Sequence, residues 1–60
     1  MTKQTLRNKI YAYIYAFDQK NTEWCNSIIA ELESENYHKL VGLLLEGKYQ
    51  AAHDWIDRNV

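Results

Sequence analysis

Proline is absent from this chain of 60 residues, glycine occurs twice and cysteine once. Without proline no position is forbidden to a helix, and only Gly42 and Gly47 escape the steric limits that a Cβ imposes. The single cysteine, Cys25, excludes an internal disulfide, whereas secreted domains of this size are commonly stapled by several. A cytoplasmic setting is therefore expected. No apolar run approaches the roughly 20 residues needed to span a bilayer, and the opening Met1-Thr2-Lys3-Gln4-Thr5-Leu6-Arg7 lacks the apolar core of a signal peptide. No membrane anchor is expected. Excess charge is missing as well. A formal charge of −1 supplies neither the broad basic field of a nucleic-acid binder nor the acidic surface of a mimic.

What is present is apolar and aromatic. A hydrophobic content of 47% and an aromatic content of 13% are too high for a disordered chain, so residues 1–60 read as one small helical domain. A domain this short buries only about 60% of the surface its unfolded chain exposes, which leaves it marginal without staples. A partner or a second copy is the expected support.

Residues 10–17, Ile-Tyr-Ala-Tyr-Ile-Tyr-Ala-Phe, alternate like a strand and also fit a helix. At about 100° per residue, Leu6, Ile10, Tyr13, Ile14 and Phe17 fall into one apolar stripe. A strand here would have no second strand to complete its hydrogen bonds, and the two alanines favour a helix. The pattern predicts a first helix from about Thr2 to Gln19, capped by Thr2 or Thr5. A second begins at Asn21 or Thr22, with Thr22 able to cap, Glu23 favourable to the dipole, and Trp24, Cys25, Ile28, Ile29 and Leu32 as its apolar face. Beyond Leu32 the apolar side moves by more than a third of a turn, which predicts a break at Ser34 to Asn36, with Asn36 as a cap. Tyr37 to Glu46 then reads as a helix apolar almost all round, and so central and buried. Gly47 ends it by taking the left-handed conformation. A fourth helix sets Tyr49, Ala52, Trp55 and Ile56 against the third, with Gln50, Asp54, Asp57 and Arg58 opposite. The fold class expected is all-α, a compact bundle of three or four short helices with a Gly47-centred hairpin near the C-terminus.

The segment Leu44-Leu45-Glu46-Gly47-Lys48-Tyr49-Gln50-Ala51-Ala52 resembles the turn between the two helices of a tetratricopeptide repeat, which often reads Gly-x-Tyr-x-x-Ala. The resemblance covers about 20 residues and occurs once, whereas stacked repeats need about three units for a continuous core. It implies the geometry of a helical hairpin and nothing about partners.

Chemistry-bearing residues are sparse. His53 and Asp57 stand four apart on one helix face and read as an ion pair or solvated face. Adding His38 and Cys25 gives none of the paired spacing of a zinc site, so no metal and no cofactor is expected. Cys25 reads as a small core residue, and Glu31, Glu33 and Glu35 as a solvated helix side. Neither a phosphate-binding glycine loop nor a Ser-His-Asp order can be assembled, and an enzyme is not expected.

One surface stands apart. Lys3, Arg7, Tyr11 and Tyr15 recur every four residues, so they form a row along the first helix, with both tyrosines outside the apolar stripe. Tyrosine and arginine are enriched at protein hot spots, and the alternative use of the row is to hold a phosphate and stack a base. The bland reading is that both tyrosines pack against another helix of the same chain. The expected function is a small intracellular interaction module, an adaptor or inhibitor that occupies a surface of a larger protein partner. Self-association into a homodimer through the first helix is also expected. Nucleic-acid or nucleotide binding by the Lys3, Arg7, Tyr11 and Tyr15 row is the alternative.

Overall fold

A computed structural model describes residues 1–60 and contains four helices and no strand. They are α1 (Lys3–Asp18), α2 (Thr22–Ser34), α3 (His38–Leu45) and α4 (Tyr49–Asn59). The tyrosine-rich stretch lies wholly within α1, as the helical stripe required. None of the helices is long and apolar enough to cross a membrane.

Two of the four helices open on a side-chain cap. Thr2 caps α1, its hydroxyl accepting from the Thr5 N–H at 3.1 Å. At α2 the cap is Asn21, not Thr22: its carboxamide oxygen accepts from the Trp24 N–H at 3.1 Å, and Thr22 is already helical. Tyr37 and Lys48 precede α3 and α4 without a side-chain cap.

The three connections share one geometry. Lys20, Asn36 and Gly47 all have positive φ, at 58°, 66° and 74°. In each turn that residue's N–H bonds two residues back from the helix-terminating position, and the next N–H reaches one residue further. The second set of bonds is Asn21 N–H to Ala16 C=O (2.8 Å), Tyr37 N–H to Leu32 C=O (2.9 Å) and Lys48 N–H to Leu43 C=O (2.8 Å). This paired pattern is the Schellman closure of a helix, and the residue that completes it is at once the residue that precedes the next helix. Asn36, expected as a cap, instead takes the left-handed position, which asparagine tolerates better than most residues.

Such short turns lay consecutive helices side by side, and α4 returns to α1, so the four close into a ring around one core. Along α1, Arg7 meets Asp57 and Tyr13 meets Tyr49, so α1 and α4 run antiparallel. Lys9 with Glu31 and Tyr15 with Trp24 show the same for α1 and α2. Leu6, Ile10, Leu32, Leu40, Leu44 and Ile56 are fully buried and fill the interior. The third helix is rich in core residues but not central in position: it packs on α2 and α4, while α1 closes the opposite side.

Three apolar residues assigned to buried faces are not buried. Phe17 is 62% exposed, Trp24 is 40% exposed, and Leu45 is exposed at the end of α3. α1, with 16 residues, is longer than its neighbours α2, with 13, and α4, with 11. Phe17 is next to last in α1, at the end of the bundle. All three residues lie where α1 and α3 end and α2 begins, so one end of the bundle is the more apolar.

Candidate functional site

The row on α1 crosses the outer side of the bundle, and its four members meet different surroundings. Arg7 is carried at the edge of the apolar stripe, which aims it at α4 rather than at open water. Its guanidinium Nη2 pairs with Asp57 Oδ1, and Nη1 lies 3.5 Å from His53 Nδ1. Lys3 Nζ donates to the Asp57 main-chain carbonyl at 3.5 Å. Thus His53 and Asp57, which in the sequence form a separate constellation on another helix, join the basic half of the row. His38 is exposed on α3.

The tyrosines complete the row with their rings outward. Tyr11 is 57% exposed and Tyr15 is 59% exposed, so neither packs in the core of its own chain. Each ring is braced from one side. Tyr11 lies against the His53 imidazole, with ring centroids 5.2 Å apart and planes inclined by 41°. Tyr15 meets Trp24 edge to face, at 6.0 Å and 70°. Aromatic pairs of this geometry contribute about 0.5–1.5 kcal/mol beyond their buried area, and they restrict the rotamers of exposed rings. The result is an aromatic strip from α4 across α1 to α2: His53, Tyr11, Tyr15, Trp24.

Electrostatically the strip is close to balanced. The Arg7 charge is met by Asp57, and Lys9, on the other flank of α1, is met by Glu31 at 2.5 Å. Lys3 is the one cation of the row without a carboxylate partner. Cys25 is half-buried on α2, its thiol directed at the Tyr13 carbonyl at 4.0 Å.

Sequence reasoning placed Lys3, Arg7, Tyr11 and Tyr15 on one line but missed Trp24, His53 and Asp57 as its neighbours. The spacing within a helix is visible from one segment, whereas the pairing of Arg7 with Asp57 depends on how α4 returns to α1. The one signal available was Arg7 at the border of the stripe, a position from which a long side chain reaches the adjoining helix.

No protein-family model matches the chain, and no curated protein or solved structure matches it.

Proposed function

We propose that this chain is a small protein–protein interaction module, acting as an adaptor or inhibitor by occupying a surface of a larger partner. Lys3, Arg7, Tyr11 and Tyr15 form its contact row. The observation that carries the reading is that Tyr11 and Tyr15 are more than half exposed and are yet braced by His53 and Trp24. Exposed rings held in place lose little freedom on binding, and tyrosine with arginine is the composition that dominates interface hot spots. A symmetric contact of the same strip between two copies extends the reading to a homodimer.

The test compares the native chain with the Tyr11→Ala, Tyr15→Ala double variant. Neither ring is in the core, so helicity by circular dichroism stays the same. Molar mass by light scattering at rising concentration reads self-association, and capture from the source cell reads partner binding. Loss of a hot-spot residue costs about 2 kcal/mol or more, which weakens a micromolar contact about thirtyfold for each tyrosine removed. Equal association by the double variant defeats the proposal. Salt separates the alternative: binding through phosphates weakens steeply between 50 and 200 mM salt, on the order of 10³-fold for several contacts, whereas an apolar contact does not.

A further inference from the structure

The largest hollow of the molecule, about 580 Å³, lies at the apolar end of the bundle where α1 hands over to α2. It is on the flank of α2 opposite Trp24, since Trp24 and the lining residue Asn26 stand about 200° apart around that helix. The strip proposed above therefore has no part in it. Its size falls within the range of roughly 300–1,000 Å³ that small-molecule sites occupy.

Tyr13 sets the chemistry of its floor. The residue is only 5% exposed, yet its hydroxyl makes no hydrogen bond to the rest of the chain. No fully sealed polar atom is left without a partner, so this hydroxyl retains an opening, and the hollow is what Tyr13 lines. Burial pushes the phenol above its ordinary value of 10.0, and Cys25 and Tyr49 push it the same way, so at neutral pH it is a hydrogen-bond donor. Phe17 stacks on Tyr13 with centroids 6.3 Å apart and planes inclined by 29°, and its exposed ring forms an apolar wall.

Donors gather at the rim. Lys20 lines the hollow, as do Thr22 and Asn26. The Thr22 and Glu23 amides at the start of α2 bond to no carbonyl or cap, because the Asn21 side chain takes the Trp24 N–H. Asp18 is the single acid and Lys20 the single base among the lining residues, and they form no ion pair.

We propose that this hollow binds a small aromatic carboxylate. The ring lies against Phe17 and Tyr13, and the carboxylate accepts from the Tyr13 hydroxyl and from the donors at the start of α2, with Lys20 beside them. An open hydroxyl without a partner on a residue otherwise buried, an uncovered aromatic wall and a rim of uncharged donors with Lys20 among them converge on that class of ligand.

The probe is benzoate, titrated into the isotope-labelled protein while amide and side-chain resonances are followed. Saturable shifts at Tyr13, Phe17, Lys20 and Asn26 are expected, with a dissociation constant on the order of 1 mM for so small a ligand. Benzyl alcohol and benzylammonium, equal in ring but neutral or positive, bind more weakly. Tyr13→Phe keeps the ring and removes the hydroxyl, and weakens benzoate about tenfold. Phe17→Ala alters an exposed side chain, leaves the fold intact, and also weakens binding. Absence of shifts, equal binding of benzylammonium, or benzoate affinity unchanged in both variants overturns the proposal.

Discussion

Arg7 of α1 and Asp57 of α4 are joined by an ion pair across fifty residues of sequence, and this contact fastens the first helix to the last. The Arg7 side chain is about three-quarters buried, while that of Asp57 is more than half exposed. Solvent on one side screens the attraction, and exposed pairs of this kind are worth about 0.2–1 kcal/mol. A double-mutant cycle with Arg7→Ala and Asp57→Asn, read by urea unfolding, should give a coupling within that range that shrinks with added salt. Zero coupling at low salt would show that the pair does not fasten the helices.

The three turns provide a sign test. Lys20 pays for a left-handed backbone that glycine adopts freely, so Lys20→Gly should stabilise the chain by about 0.5–1 kcal/mol, the relief of strain exceeding the added freedom of the unfolded state. Gly47→Ala imposes that strain and should cost about 1–2 kcal/mol, although nothing lies within 4 Å of the added carbon.

Gly42 gives the opposite result from the same substitution. It sits inside α3 with open space around it, so Gly42→Ala should add about 1 kcal/mol through helix propensity alone. Chemical denaturation of the two glycine variants should therefore shift the midpoints in opposite directions. A shared direction contradicts the assigned backbone conformations.

Alkali should weaken the fold through Tyr13. Its phenol ionises at a higher pH folded than unfolded, so the folded state holds the proton longer. Stability is unaffected below about pH 10 and falls as pH rises from there through the folded-state value, because deprotonation favours the unfolded chain. Melting curves at pH 9 and 11 should show a smaller loss for Tyr13→Phe than for the native chain. Equal losses exclude Tyr13 as the source.

Truncation of Leu44 tests how little the core can spare. Leu44→Ala removes a fully buried side chain and should cost about 2–5 kcal/mol, comparable with the roughly 3–5 kcal/mol that a core of this size supplies. Circular dichroism should show an unfolded or barely folded chain at 25 °C. Cooperative melting within a few degrees of the native midpoint is the contrary result.

Much of the architecture was already in the amino-acid order. The four helices, the stops before residues 22, 37 and 48, and the left-handed role of Gly47 follow from apolar period, capping residues and missing proline, which act over a few neighbouring residues. The turn at Lys20 was not legible in type, because lysine has no preference for positive φ and holds it only when packing on both sides compels it. Phe17, Trp24 and Leu45 fit apolar stripes as well as any core residue, and exposure separates them only once the helices are packed and these three fall at one end of the bundle.

The line of Lys3, Arg7, Tyr11 and Tyr15 was determined by sequence alone, since four-residue spacing on a helix is local geometry. Tertiary structure alone decided what stands beside it. His53 and Asp57 reach Arg7, and Trp24 reaches Tyr15, only because the chain closes α4 and α2 onto α1. The hollow over Tyr13 likewise exists only where two helix ends meet. Local periodicity orders side chains along one helix, but contacts between helices depend on relative lengths and turn geometry, which no single segment encodes.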